Sequence, residues 1–267
     1  MKTEVNGVTI AYEDQGTGPP IVFLHAFPLN RTMWAPQEAV LSRRFRTISI
    51  DLRGLGESDA PSWRYSMEQY ARDVRGVLAC LGIEKALFVG LSMGGYLAFA
   101  LYRLYPEMIL GLVLADTRAE ADTPEQVHWR FALAQRTAAI GSAAVIAEML
   151  PKLLASTRYD RDPDFVGRVK VMLTAAPVPG IIGALMALAE RPDSTNLLPA
   201  ITIPTLIIVG ADDVLTTTAD AERMATGIAG AELVVIPDAG HLSNLEQPDR
   251  FTAAVERFAE RLVLSRR

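Results

Sequence analysis

The chain has 267 residues, of which 50% are hydrophobic and 21% are charged, a balance that suits a folded protein with a large core. Its net charge is −5 and no basic run is long enough to grip a phosphate backbone, so we expect no nucleic-acid partner. No stretch of about 18 uncharged apolar residues occurs and no secretory leader is recognisable, so we expect no membrane partner and a cytoplasmic location. The single cysteine, Cys80, lies in a helical pattern and is expected to be packed.

Short apolar runs along the chain predict the strands. The first run, residues 8–12, is predicted to be an edge strand. The later runs lack the polar alternation of a strand that has one face in water, which indicates strands buried on both faces, as in a parallel sheet. They comprise residues 20–25, 47–50, 86–89, 110–114, 205–209 and 233–236.

Amphipathic stretches between these runs predict helices. Over residues 66–81 apolar side chains recur three and four positions apart, and Ser66 with Gln69 has the spacing of a capping box. A second apolar stripe runs from Phe251 to Leu262. The alternation of strands and helices predicts an α/β fold with a doubly wound, mostly parallel sheet.

One segment departs from this alternation. Residues 118–198 are rich in Ala, Leu and Met, have helical patterns and contain no convincing strand. A length of about eighty residues is too great for a single crossover connection between strands. We therefore predict a helical cap, or lid, at residues 118–198, inserted into a core that comprises residues 1–117 and 199–267.

The pentapeptide Gly90-Leu91-Ser92-Met93-Gly94 fits the G-x-S-x-G pattern of a nucleophile elbow. A predicted strand precedes it and a helical stretch follows, as the pattern requires. A strand that turns at once into a helix leaves the serine hydroxyl exposed at the carboxyl end of the sheet, and crowding two residues to either side calls for glycine. Ser92 is therefore the predicted nucleophile.

A serine hydroxyl needs a base within hydrogen-bond reach before it can attack a carbonyl group. The sequence contains three histidines. His241 follows the last predicted strand, close to the end of the chain, which completes the chain order Ser, acid, His. Because His128 lies in the predicted cap and His25 ends a strand, we predict His241 as the general base.

The acid that orients the histidine is expected on the loop after the penultimate strand, which begins Gly210-Ala211-Asp212-Asp213. Adjacent side chains point in different directions, so one carboxylate meets the histidine while the other is solvated or caps the next helix. Asp213 is the first choice and Asp212 the second. Asp116, at the end of another strand, is a third candidate, whose other role would be to hydrogen-bond the start of the cap.

Attack by Ser92 creates an oxyanion, which needs preorganised donors. The backbone amide of Met93 is the first predicted donor, and the amide of Phe27, in the loop after His25, is the second. The Phe27 ring is also expected to line the acyl side of the site. Further candidates for the lining of an apolar acyl pocket lie in the cap: Trp129, Met149 and Leu185.

These motifs resemble those of the α/β-hydrolase superfamily, and the resemblance extends over almost the whole chain. His25-Ala26-Phe27-Pro28 is similar to the family's His-Gly-x-Pro oxyanion loop, with alanine where the family usually has glycine. Residues 51–58 resemble its Asp-x-Arg-Gly-x-Gly-x-Ser segment, a structural signature. Gly210-Ala211-Asp212-Asp213 matches Gly-x-x-Asp, in which the last residue is the acid, so the resemblance favours Asp213.

Within the superfamily the chain resembles small bacterial serine esterases, cofactor-free haloperoxidases (perhydrolases), 3-oxoadipate enol-lactonases and acyl-homoserine lactonases. The resemblance implies hydrolysis of short- to medium-chain esters or lactones through an acyl-enzyme, with lactonase or perhydrolase activity as alternatives. Ser92 argues against dehalogenases and epoxide hydrolases, which carry aspartate at the nucleophile position. A non-catalytic ligand receptor is the rival from another class, because such a receptor can retain the triad.

Neither a cofactor nor a metal is expected. The three histidines are scattered along the chain rather than clustered with other ligands, which is not typical of a zinc site. The expected partner is a small-molecule ester or lactone.

Overall fold

The computed structural model describes residues 1–264 and contains a single sheet of eight strands. The strands are β1 (Lys2–Val5), β2 (Val8–Gln15), β3 (Pro20–Leu24), β4 (Arg46–Ile50), β5 (Ala86–Leu91), β6 (Ile109–Ala115), β7 (Thr205–Gly210) and β8 (Glu232–Ile236). Their spatial order is β1-β2-β4-β3-β5-β6-β7-β8. The pairs β1–β2 and β2–β4 are antiparallel and all later pairs are parallel, which confirms the predicted doubly wound, mostly parallel α/β sheet.

Helices connect the strands. They are α1 (Ala35–Leu41), α2 (Met67–Cys80), α3 (Met93–Leu104), α4 (Pro124–Ile140), α5 (Ala143–Leu153), α6 (Ser156–Arg161), α7 (Pro163–Thr174), α8 (Val178–Ala189), α9 (Thr218–Gly227), α10 (Ser243–Glu246) and α11 (Pro248–Leu264). Short 3-10 turns lie at Arg31–Trp34, Pro106–Met108 and Thr195–Ala200. The central strands β3, β5 and β7 are buried almost throughout, as their continuous apolar runs predict.

Two details differ from the sequence-based expectations. The edge of the sheet is β1 rather than β2, because Asn6 (φ 50°) and Gly7 (φ 75°) turn the chain into a hairpin. In β1 only Val5 is buried, so this strand carries no apolar run. Cys80, the last residue of α2, is exposed rather than packed. The helix does begin at the predicted cap, where Ser66 Oγ accepts from Gln69 N at 3.1 Å.

Between β6 and β7 the described chain forms five helices, α4–α8, and the 3-10 turn, and adds no strand to the sheet. This arrangement supports the prediction that residues 118–198 form a cap on a core of residues 1–117 and 199–267, and we use the word cap for residues 118–198 below. Across the described residues no single helix is long and apolar enough to cross a bilayer. Helices α7 and α8 reach that length and composition only together, with a bend of 92° between them.

A glycine contact joins the cap to the core. A Cβ atom built on Gly180, in the first turn of α8, would lie 1.6 Å from the carbonyl oxygen of Gly54, and one built on Gly54 would lie 2.6 Å from the Tyr65 ring. Gly54 also has a φ of +87°, which disfavours a side chain. The backbones of α8 and of the loop after β4 therefore approach closely because neither position carries a side chain.

We expect Gly180→Ala to destabilise the fold by about 1–3 kcal/mol, because the added methyl group overpacks a contact between two backbones. Gly167→Ala is the matched control: Gly167 lies on the exposed side of α7 and its Cβ would meet nothing within 4 Å. That change should be neutral or stabilise by up to about 1 kcal/mol, because alanine favours helix. Urea unfolding of both variants measures the difference, and equal stabilities would contradict this account of the contact.

Candidate active site

Ser92 occupies a strained turn between β5 and α3. Its φ of 55° and ψ of −112° place it outside the usual regions for a residue with a side chain. A Cβ atom at Gly90 would lie 2.3 Å from the carbonyl oxygen of Gly94, and one at Gly94 would lie 2.1 Å from that of Leu24. The two glycines of the motif are therefore required by close backbone approach, and the strain at Ser92 costs on the order of 1–3 kcal/mol.

Three side chains from three loops form one hydrogen-bonded line. His241 Nε2 lies 2.8 Å from Ser92 Oγ. His241 Nδ1 lies 2.8 Å from Asp213 Oδ2. The loops that carry these residues follow β5, β7 and β8, all at the carboxyl end of the sheet. The arrangement has the geometry of a nucleophile, a base and an orienting acid.

The geometry distinguishes the three candidate acids. Asp213 is buried against His241, whereas Asp212 is exposed and donates its own amide to Ala239 O at 2.9 Å. The Asp116 carboxylate is fully buried but accepts from Gly210 N at 2.8 Å and from the Ser243 hydroxyl. Its partners therefore lie at the end of β7 and at the start of α10, rather than at the start of the cap.

A residue that the sequence-based search missed completes the acid's surroundings. Thr216 Oγ1 donates to Asp213 Oδ2 at 2.6 Å, and the amides of Leu215 and Thr216 donate to Asp213 Oδ1 at 2.8 and 3.1 Å. Thr216 stands three residues after Asp213 on the same loop, so its spacing was a usable signal. These donors fix the carboxylate in the orientation that faces His241.

His241 and Asp213 each shift the pKa of the other. Burial acts to lower the pKa of His241, but the Asp213 carboxylate outweighs it and holds the pKa above the usual value of 6.5. Burial acts to raise the pKa of Asp213, and here the attraction of His241 and the hydrogen bonds from Thr216 outweigh it, so that this pKa is lowered. Burial and the nearby Asp213 charge hold the pKa of Asp116 well above its usual range, which favours a neutral Asp116.

His25 holds the loop that carries the second predicted oxyanion donor. Its Nδ1 lies 2.9 Å from Ala26 O, and its Nε2 accepts from Leu52 N at 2.9 Å. Burial lowers the pKa of His25, which favours the neutral ring that these two contacts require. Ala26 is fully buried and is not among the residues with positive φ, so alanine fits here without backbone strain. Phe27 is buried beside it.

The predicted structural segment, residues 51–58, supports the loop of His25. Asp51 accepts from the amides of Arg31 and Glu57 at 2.7 and 2.8 Å. Ser58 Oγ donates to Asp51 O at 2.7 Å. The segment is thus a folded loop that carries Leu52, the partner of His25.

A cavity of about 350 Å³ opens beside Ser92 and His241. Phe27 lines it, and so do the predicted cap residues Trp129 and Met149. Leu185 does not: its side chain is fully buried in the core, and Leu188 of the same helix lines the cavity instead. The remaining lining residues are Tyr96, Arg118, Glu125, Gln126, Arg130, Lys152, Leu215 and Thr216.

The cavity wall is more polar than the expected apolar acyl pocket. Arg118, Arg130 and Lys152 supply three cations, against the single carboxylate of Glu125. The sequence-based search passed over these residues because charged side chains in a helical segment usually face water. They are also spread over the segment before α4, α4 itself and α5, so no single pattern in the sequence groups them.

The two arginines of the wall are held by a buried carboxylate, Asp122, whose side chain has no exposed surface. Arg118 lies 2.9 Å from it and Arg191 2.7 Å, and Arg130 forms a third ion pair. Burial acts to raise the pKa of Asp122, but the guanidinium groups of Arg130 and Arg191 outweigh it and lower the pKa. Arg191 also stacks on the ring of Tyr96 at 4.2 Å. Three cations on one anion leave a surplus of positive charge behind this wall.

Lys152, on α5, is the third cation of the wall and has a carboxylate partner of its own. Its Nζ lies 3.1 Å from Glu148 Oε1 and 5.4 Å from the centre of the Trp129 ring. Among residues 1–264 no group of three or more His, Cys, Asp or Glu side chains is arranged to hold a metal ion.

A model of the α/β-hydrolase fold matches residues 19–248. The chain is 34% identical to 3-oxoadipate enol-lactonase 1 of Acinetobacter baylyi over 94% of its own length and 93% of that protein. A thermophilic esterase from Thermogutta terrifontis, solved with malate bound, superposes with a TM-score of 0.94 at 41% identity, over 98% of this chain and 97% of the esterase. The enol-lactonase of Burkholderia xenovorans LB400 superposes with a TM-score of 0.91 at 32% identity, over 97% of this chain and 100% of that one.

The three compared proteins each match 94% or more of this chain, and they confirm the resemblance to esterases and lactonases that the motifs indicate. The chain therefore belongs to the α/β-hydrolase fold family.

Proposed function

We propose that this chain is a serine hydrolase of carboxylic esters and lactones, in which Ser92 is the nucleophile, His241 the general base and Asp213 the orienting acid. The observation that carries the proposal is the line of two 2.8 Å contacts from Ser92 Oγ through His241 to Asp213. A serine with a purely structural role would not require a strained turn together with a buried imidazole and a buried carboxylate in one hydrogen-bonded line.

The chemistry follows from this geometry. Ser92 Oγ attacks the ester carbonyl while His241 Nε2 takes its proton, and Asp213 accepts from His241 Nδ1 and stabilises the imidazolium. The proton then passes from His241 to the leaving alcohol oxygen, which leaves an acyl group on Ser92. Water, activated by the same imidazole, releases the acid and restores the enzyme.

The backbone amides of Met93 and Phe27 are the proposed donors to the oxyanion. Met93 follows the nucleophile at the first position of α3, where a helix N-terminus leaves its amides without intrahelical acceptors. Phe27 shares the cavity with Ser92 and lies on the loop that His25 fixes. Donors held by such rigid backbone need no reorganisation when charge develops on the substrate oxygen.

The compared proteins give equal support to an ester substrate and to a lactone substrate. The compared proteins include enol-lactonases and an esterase, and both reactions begin with attack on an ester carbonyl. The cavity of about 350 Å³ suits a small molecule. A receptor that keeps the triad but does not turn over is the alternative, and turnover of p-nitrophenyl acetate distinguishes the two.

Ser92→Ala should abolish this turnover. We expect kcat to fall by about four to six orders of magnitude, the range for loss of a triad nucleophile. Thermal unfolding of the variant should stay close to that of the wild type, because the change removes one oxygen atom at the cavity. A folded Ser92→Ala protein that still hydrolyses the ester at the wild-type rate would rule out the proposal.

Asp213→Asn should lower kcat by about 10⁴, because the amide favours the wrong imidazole tautomer. It should also move the pH profile. Activity requires neutral His241, so kcat/KM of the wild type should fall as the pH drops through a midpoint above 6.5. Without the Asp213 charge this midpoint should shift to lower pH. Asp212→Asn is the matched control and should change kcat by less than about tenfold with an unchanged midpoint.

The cations of the cavity wall favour substrates that carry a carboxylate. Arg118, Arg130 and Lys152 face the same cavity as the nucleophile, while the chain as a whole carries a net charge of −5. A local surplus of positive charge in a partly closed site attracts anions and weakens with ionic strength. Malate, which was bound in the Thermogutta esterase, is itself a dicarboxylate.

Two esters of equal acyl length test this preference: p-nitrophenyl hemisuccinate, which carries a carboxylate, and neutral p-nitrophenyl butyrate. We expect Lys152→Gln to lower the ratio of their kcat/KM values by about tenfold at low salt, through weaker attraction of the anion. Lys170→Gln, on the exposed side of α7, is the control and should leave the ratio unchanged. Equal ratios in all three proteins would contradict the preference and leave the triad untouched.

A further inference from the structure

Both chain neighbours of His241 are tied through hydrogen bonds to one short stretch of the cap. On one side, Leu242 N donates to Leu153 O at 3.1 Å. On the other side, Gly240 N donates to the side chain of Glu246 at 2.8 Å, and the same side chain accepts from Ala155 N in the cap. The loop that presents the imidazole is therefore held from the cap as well as from β8.

The Glu246 carboxylate bridges the two segments. Its Oε1 accepts from Gly240 N and its Oε2 accepts from Ala155 N at 3.0 Å. The side chain has no exposed surface, so water does not compete for these amides. Arg158 adds a charge contact of 3.9 Å to Oε2 and donates from Nη2 to Glu246 O at 2.7 Å. Each oxygen thus serves a different segment, which a neutral amide side chain could not do for two N–H donors.

The loop and the cap are also in direct backbone contact here. A Cβ atom on Gly240 would lie 2.5 Å from Ala155 N and 3.1 Å from Glu246 Oε1. No side chain separates the two segments, so a movement of one displaces the other.

The cap stretch in question belongs to the cavity wall. Leu153 is the last residue of α5, and Met149 and Lys152 of the same helix line the cavity. The position of the wall and the position of the imidazole therefore share one support. A displacement of about 1 Å is enough to lower a rate by about a hundredfold when it misaligns reacting groups.

We propose that Glu246 is a positioning residue that fixes the His241 loop to the cap stretch Leu153–Ala155, so that the cap keeps the general base aligned with Ser92. The proposal rests on the proposed function, since it assigns a role to the support of His241 in the same reaction. Glu246 touches no reacting atom and acts through Gly240 and the cap.

Ala155→Pro tests the bridge from the cap side without changing Glu246 or His241. Proline removes the one N–H that Ala155 donates to Glu246. The backbone accepts it, because Ala155 has a φ of −56° and Leu154, before it, is extended with φ −121° and ψ 151°. The dihedral angles therefore suit proline, whose Cδ takes the place of the N–H hydrogen and displaces the Glu246 carboxylate from Ala155, so one half of the bridge is lost. Thermal unfolding checks that the variant is folded.

Glu246→Gln tests the bridge at its centre. The isosteric amide keeps one acceptor oxygen but turns an NH2 group toward the second N–H donor. We expect kcat for p-nitrophenyl acetate to fall by about ten- to a hundredfold, with KM changed by less than about threefold, because alignment rather than binding is lost. Ala155→Pro should also lower kcat with little change in KM, but by a smaller factor. In the double variant kcat should fall by less than the product of the two single factors, because both changes break the same bridge.

The control is Glu84→Gln, an exposed carboxylate that precedes β5 at the opposite end of the sheet, and it should leave kcat unchanged. Hydrogen exchange gives a second readout that does not require activity. Both test variants should raise exchange in residues 153–158 and in residues 238–247 together.

A folded Ala155→Pro enzyme with wild-type kcat, and with faster exchange confined to residues 153–158, would overturn the proposal. If Glu246→Gln fails to fold, Ala155→Pro decides the matter alone. A wild-type protein that hydrolyses no ester would instead contradict the proposed function, while the exchange measurement would still report whether the cap and the His241 loop move together.

Discussion

The candidate site depends on hydrogen-bond contacts of 2.8 Å made between loops that are far apart in the chain. Ser92 and His241 are separated by 149 positions, and only the parallel register of β5, β6, β7 and β8 brings their loops to one edge. A hydrogen bond weakens steeply once its geometry is lost, so the sheet must hold three loop ends within a few tenths of an ångström. Much of the surrounding structure serves that requirement.

Two kinds of support meet it. The first is local packing: the turn at Ser92 is strained, and it persists because β5 and the first nine residues of α3, on either side of it, are buried. The second consists of buried carboxyl groups that tie loops to one another. Asp116 joins the end of β7 to the start of α10 through Gly210 and Ser243, and we propose that Glu246 joins the loop of His241 to the cap.

Placing several carboxyl groups near one imidazole has an electrostatic consequence. Asp213, Asp116 and Glu246 all act to raise the pKa of His241. If all were charged, their mutual repulsion in a buried space would be costly. Burial holds the pKa of Asp116 well above its usual range, which favours its neutral form, while His241 and Thr216 lower the pKa of Asp213 against the effect of burial. The site therefore combines a charged Asp213 that faces the imidazole, a neutral Asp116, and a Glu246 carboxylate whose oxygens accept from two backbone amides.

Local chain chemistry was enough to predict part of this protein. The apolar runs predicted seven of the eight strands, and the missed strand, β1, carries a single buried side chain. Gly90 and Gly94 around Ser92 are needed for steric reasons within five residues, so the motif could be recognised without the fold. Asp213 over Asp212 was favoured by a family resemblance, and burial of only one of the two carboxylates agrees with it.

Tertiary structure decided the features that depend on side chains from distant segments facing one another. Leu185 and Leu188 are both leucines on α8, yet only Leu188 lines the cavity. The packing of α8 on the core decides which of the two side chains faces the cavity. In the sequence, Arg118, Arg130 and Lys152 have the pattern of ordinary solvated charges. In the structure, Asp122 holds the two arginines, Glu148 contacts Lys152, and all three cations line the cavity. The role proposed for Glu246 also depends on tertiary structure, because its two oxygens can bridge the segments only where the end of α5 lies beside the loop of His241. Sequence determines which residues can do the chemistry, and packing determines which of them meet.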